Sequence, residues 1–116
     1  MANAIGAVTY RANNDPELTS AKFDNAAASG DTAAVAAASA KVTRVYRLFI
    51  VVGGATNITF KDGATALTGA IPLAANQSIT LDFDGEPWFT CSNNSAFNIN
   101  SSNAVQVSGR VYYTQG

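Results

Sequence analysis

Three carboxylates stand at alternating positions around a glycine: Asp82, Asp84 and Glu86, with Gly85 between the last two. Such oxygen ligands suit calcium, a hard cation. A carboxylate pair can also divide acid and base roles in glycoside hydrolysis. The run is shorter than an EF-hand loop, and Asp82 and Asp84 share the solvent side of a strand end. The first reading is therefore a solvated strand end beside a turn. Calcium binding and acid/base chemistry remain as alternatives. Cys91 is the single cysteine and the chain has no histidine. A thiol nucleophile needs a nearby base, and histidine is the usual one, so Cys91 reads as a small buried hydrophobe. The lack of histidine also removes the commonest metal ligand.

Binding groups are easier to find. Trp88 and Phe89 follow the acidic turn and form either a platform for a sugar or partner, or an anchor in the core. Arg44 and Arg47 are three residues apart on a strand, which places them on opposite faces. Each is read as pairing a carboxylate across a subunit interface or as simply solvated. Gly53-Gly54 is not followed by a helix, so it is not a phosphate loop. The sequons at Asn57, Asn76, Asn93 and Asn100 arise easily in a chain rich in Asn, Ser and Thr.

These groups must be held by strands. The central stretch is KVTRVYRLFIVVGGATNITF, residues 41–60: a long strand, a Gly-Gly break and a second strand. From Leu48 to Val52 every residue is apolar, so Leu48, Ile50 and Val52 face one way while Phe49 and Val51 face the other. Both faces then need cover, one from a second sheet and the other from a neighbouring subunit. Phe49 and Val51 join the two arginines as candidate interface residues.

Further strands follow at roughly 8–12-residue spacing, with turn signals between them. Ile58 and Phe60 alternate with Asn57 and Thr59, and Lys61-Asp62-Gly63 makes a hairpin-type turn. Thr65–Thr68 forms a short strand. Ile71-Pro72-Leu73 is extended, and its proline bars it from a central ladder. Ile79, Leu81 and Phe83 alternate with Thr80, Asp82 and Asp84. Trp88–Cys91 is a short aromatic strand. Phe97 and Ile99 alternate with Asn98 and Asn100. In the last strand Val105, Val107, Val111 and Tyr113 share one face, Gln106, Ser108, Arg110 and Tyr112 the other, and Gly109 admits a close neighbour. This pattern predicts an all-β fold, an antiparallel β-sandwich of jelly-roll-like type.

The first 30 residues read differently. Ile5, Val8 and Tyr10 are isolated apolar residues among polar and small ones, and Asn13-Asn14-Asp15-Pro16 is a strong breaker. The expectation is an extended N-terminal arm over residues 1–30 that lies on another surface through Ile5, Val8 and Tyr10. The sandwich domain would then occupy 31–116. The alternative is an edge strand over Ala4–Tyr10 followed by a long loop. Residues 31–40, DTAAVAAASA, offer little apolar surface to a helix and are read as a short strand over Thr32–Ala36.

Composition narrows the function classes. Charged residues make up 13% of the 116, about half the usual share, and the apolar fraction is 47%. Low charge suits surface covered by other subunits, because a buried unpaired charge is costly. The net charge is −1 with seven basic residues scattered along the chain, which argues against a nucleic-acid footprint. No apolar run reaches the ~18 residues of a membrane span. The N-terminus lacks the basic and apolar regions of a signal peptide, so synthesis in a cytoplasm without export by that route is expected.

The segment from Arg44 to Tyr113 resembles a group of small virion proteins of tailed bacteriophages. The matching pieces are RVYRLFIVVGGATNITFKDGATALTGAIPLAANQSITLDFDGEPWFT and FNINSSNAVQVSGRVYY. Their order carries the likeness: an apolar strand ending at Gly-Gly, an N-x-T-F-K-x-G turn, A-L-T-G-x-I-P-L-A-A-N, Trp-Phe after an acidic turn, and a closing V-Q-V-S-G-x-V-x-Y strand. The resemblance implies a non-enzymatic β-sandwich that serves as a capsid decoration (cement) protein, a fibre-associated protein or an adaptor. It also implies a homo-oligomer, often a trimer, on the phage head surface, with the major capsid protein or another virion protein as partner. It carries over no catalytic residue, cofactor or metal. A receptor-binding or fibre-tip module reading a host glycan through Trp88, Phe89 and the Asn93–Asn103 turns is the alternative. A small carbohydrate-active or calcium-binding enzyme using Asp82 and Asp84 comes third.

Overall fold

The computed structural model describes residues 17–116. Among them are ten strands: β1 (Thr19–Asn25), β2 (Gly30–Val35), β3 (Thr43–Val52), β4 (Thr56–Asp62), β5 (Thr65–Ala66), β6 (Ile71–Leu73), β7 (Ser78–Leu81), β8 (Phe89–Thr90), β9 (Phe97–Ser101) and β10 (Val107–Gln115). They form two antiparallel sheets packed as a sandwich. The first runs β1-β10-β3-β7, with β8 also on β3; the second runs β2-β9-β4-β5, with β6 also on β4. The antiparallel sandwich expected from the turn spacing is therefore what the chain forms.

The inward faces follow the alternation. Phe23, Val45, Leu48, Ile50, Val52, Val107 and Val111 line the first sheet; Val35, Ile58, Phe60, Phe97 and Ile99 line the second. Between the layers, Phe60 lies 5.0 Å from Phe89 and 6.0 Å from Phe97, ring centre to ring centre. Phe89 and Phe97 are 5.5 Å apart. Burying each such side chain contributes about 1.5–3 kcal/mol. The hairpin at Gly63 joins β4 to β5 through the register pair Asp62–Thr65, and Gly63 has φ of 59°. That left-handed conformation explains the glycine.

Two sequence expectations change. The sandwich begins at Thr19, not at residue 31, because Thr19–Asn25 pairs along β10 from Thr19–Tyr113 to Asn25–Val107. Only Ala21 and Phe23 mark its inward face with apolar side chains, too faint a period to read as a strand. Ile5, Val8 and Tyr10, and the alternative strand over Ala4–Tyr10, lie outside the described residues. The second change concerns the arginines. Tyr112 pairs with Arg47 but Tyr113 pairs with Val45, leaving Tyr46 unopposed as a β-bulge. One extra residue reverses the facing of everything before it. Arg44 and Arg47, expected on opposite faces, therefore share one.

Candidate functional site

The bulge gathers a single surface on the outside of the first sheet. Thr43, Val45, Leu48, Ile50 and Val52 are buried, while Arg47, Phe49 and Val51 are exposed. Phe49 is 42% exposed and Val51 40%. They are neither at an edge nor in a loop: β3 is flanked by β10 on one side and by β7 and β8 on the other. Register then lays out the neighbours. Phe49 stands beside Arg110, which stands beside Lys22; Val51 stands beside Ser108 and Asp24; Arg47 stands beside Tyr112 and Ser20.

Local contacts order this surface. The Arg47 guanidinium lies 5.2 Å from the centre of the Tyr112 ring, a cation–π contact. Arg110 donates from Nε and Nη2 to Ser20 Oγ at 3.2 and 2.9 Å. Gln106 donates to Asp24 Oδ1 at 2.8 Å. Arg44 is half-buried further along the same face, opposite Thr90 and Thr114. Four of the seven basic residues thus converge here: Lys22, Arg44, Arg47 and Arg110. They are scattered in the chain but not in space.

The aromatic pair is split. Phe89 is half-buried and packs against Phe60 and Phe97, so it belongs to the core. Trp88 is 46% exposed, and its indole N–H donates to the Asp82 carbonyl at 2.7 Å. The platform expected from both rings reduces to Trp88 alone, and Trp88 is not the core anchor that its position after a turn allowed. The strand here is Phe89–Thr90, shorter than the expected Trp88–Cys91.

Asp82, Asp84 and Glu86 are all exposed in the connection between β7 and β8. Among the described residues no group of three or more His, Cys, Asp or Glu is placed to hold a metal ion. Cys91 is 3% exposed, in keeping with a buried small hydrophobe. Burial pushes its thiol up to about 11, with the nearby negative charge of Asp62 adding to the effect. A thiol so protonated is a poor nucleophile near neutrality.

Two other carboxylates act structurally. Burial opposes the charge of Asp62, but the hydroxyls of Ser95 and Ser92 and the Ser92 N–H outweigh it and hold the carboxyl below its usual range. Ser92 N and Oγ reach Oδ2 at 2.9 and 2.7 Å. Oδ1 is enclosed without a hydrogen-bond partner. On the outer face of the second sheet the Asn100 amide, chiefly, lowers the Asp31 carboxyl; burial opposes it, and Lys61 adds to the lowering. Asn100 Nδ2 donates at 2.7 Å and Lys61 Nζ at 3.1 Å.

Lys22, Arg110 and Tyr112 were missed as members of the site. Arg110 and Tyr112 were legible as outward residues of the last strand, but nothing in the sequence placed that strand beside β3. The two outer faces thus differ: one cationic and aromatic, the other polar and self-paired. Together they define the chain as an all-β sandwich whose first sheet exposes a cationic, aromatic outer face. Compared with protein-family models, curated proteins and solved structures, the chain gave no match.

Proposed function

We propose that this chain is a non-enzymatic virion structural protein, a capsid decoration (cement) protein that binds and stabilises the assembled phage head as an oligomer. The observation that carries the reading is the pair Phe49 and Val51, exposed at 42% and 40% in the middle of a sheet. Apolar side chains grouped with aromatic and arginine neighbours mark contact surfaces. On this reading Arg44, Arg47, Phe49 and Val51 form the subunit interface, and the assembly is a trimer. The major capsid protein or another virion protein is the further partner, contacted by the arm through Ile5, Val8 and Tyr10. The protein is made in the host cytoplasm and resides on the head surface.

The strand order supports a jelly-roll-like sandwich. Taking β5 with β6 and β7 with β8 gives four strands per sheet, interleaved as 1-10-3-7 and 2-9-4-5. A cement protein that binds only the assembled shell stabilises it by mass action, and several subunits multiply weak contacts. Co-sedimentation with intact shells tests the reading: binding to shells but not to unassembled capsid subunits is expected. Failure to bind shells contradicts it.

Trp88 favours one second reading. Its exposed ring is tethered by the indole N–H bond to the Asp82 carbonyl, and such a ring can stack on a sugar. A receptor-binding or fibre-tip module predicts glycan or whole-cell binding that is lost in Trp88→Ala.

A further inference from the structure

The cationic face and the acidic loop occupy the same sheet. Lys22, Arg44, Arg47 and Arg110 surround Phe49, Val51 and Tyr112 on the outside of β1, β10 and β3. Asp24 is the carboxylate paired into that register, and Gln106 already donates to it. The chain as a whole carries a net charge of −1, so its negative charge lies elsewhere. Its densest acidic stretch is Asp82, Asp84 and Glu86, exposed in the β7–β8 connection at the far edge of the sheet from β1, beside exposed Trp88. Among the described residues the salt bridge is Lys61–Asp31, on the other sheet. Among the described residues no salt bridge joins Lys22, Arg44, Arg47 or Arg110 of the face, or Asp82, Asp84 or Glu86 of the loop, to an opposite charge.

We propose that copies of this chain associate head to tail, the Asp82–Glu86 loop of one protomer docking on the cationic, aromatic face of the next. The proposal rests on the subunit-interface part of the proposed function and names the occupant of that face. Complementary charge steers the encounter and fixes register. A loop meeting a face is a heterologous contact, which closes into a ring when the rotation allows. Pairing two copies of the face about a two-fold axis sets four cations and one carboxylate, Asp24, against the same set, a net opposition of like charge. Phe49, Val51 and Tyr112 supply the apolar area on one side of the contact, and Trp88 supplies an aromatic beside the loop on the other.

The test is the mass of the purified full chain, by light scattering and sedimentation, at about 0.1 M and about 1 M salt, where the screening length falls from ~10 to ~3 Å. Three variants accompany the wild type: Asp82→Lys/Asp84→Lys/Glu86→Lys, Lys22→Glu/Arg47→Glu/Arg110→Glu, and all six changes together. Association of the wild type is expected to weaken about tenfold or more in high salt and in each triple variant, and to recover in the six-fold variant. Circular dichroism confirms that each variant is folded; if a triple variant is not, Asp84→Lys, Arg47→Glu and their combination make the same comparison. Association indifferent to salt and to both reversals overturns the proposal, as does a six-fold variant no better than the triples. Association that survives the reversals but is lost in Phe49→Ala removes the loop as occupant and leaves the face as an interface. A wild-type monomer under every condition overturns both readings. Binding of a single-stranded oligonucleotide without self-association overturns the proposal in favour of a polyanion ligand.

Discussion

Gly109 of β10 lies so close to the backbone of β3 that a Cβ built on it would overlap the carbonyl oxygen of Phe49 and come within 2.9 Å of Ile50 Cα. The close approach holds β10 against the strand that carries the exposed aromatic, and it ties the core to the outer face. Gly109→Ala forces the two strands apart. It is expected to lower stability by about 1–3 kcal/mol or more, the range of overpacked interiors. Urea unfolding followed by circular dichroism measures this; a midpoint within error of wild type would show that the strands yield.

Phe49 and Phe60 separate binding from folding. Phe60 is 1% exposed, stacks with Phe97 and packs tilted against Phe89, so Phe60→Ala is expected to cost about 3–5 kcal/mol. Phe49 faces outward, and Phe49→Ala is expected to change stability by less than about 0.5 kcal/mol while weakening self-association and shell binding. Equal effects of the two variants on stability would contradict an outward role for Phe49.

Truncation distinguishes arm from strand. Removing residues 1–16 leaves β1 intact, and the shortened chain is expected to keep its cooperative unfolding and lose shell affinity. Removing residues 1–30 takes away all of β1, exposes Phe23's partners in the core and uncovers the β10 edge. That chain is expected to unfold at much lower urea or to aggregate. Limited proteolysis and unfolding curves compare the two.

Acid titration reports the Asp62 clasp. Its folded carboxyl titrates below the ordinary 3.8, with hydrogen bonds from Ser95 and Ser92 overcoming the burial effect. A depressed folded value contributes stability that is complete above the unfolded pKa and is lost as pH falls through the folded one. The stability difference between wild type and Asp62→Asn is therefore expected to hold constant from about pH 7 to about pH 5 and to close below about pH 4. A difference unchanged at low pH would mean that the carboxylate charge plays no part.

Much of the sandwich is written in period-two alternation. Leu48–Val52, Ile58–Phe60, Phe97–Ile99 and Val107–Val111 each present bulky side chains to one face, so strands, inward residues and the outward Phe49 and Val51 follow from local pattern. Strand β1 does not, because Phe23 is its one large inward residue. The facing of Arg44 was hidden because the Tyr46 bulge arises from pairing with β10, a partner more than 60 residues away. For the same reason the cationic face was not legible: Lys22, Arg47 and Arg110 become neighbours only through ladder register. Trp88 was ambiguous because the two-residue strand that follows it gives no alternation to show which way it points.

Co-sedimentation of the purified chain with intact phage shells, alongside Phe49→Ala and Arg47→Glu, tests the central claim most directly. An oligomer that saturates the shells, with both variants folded but binding more weakly, is the predicted result. A monomer that stays in the supernatant, or variants that associate and bind as wild type does, would contradict the assignment of the outer face as the subunit contact surface.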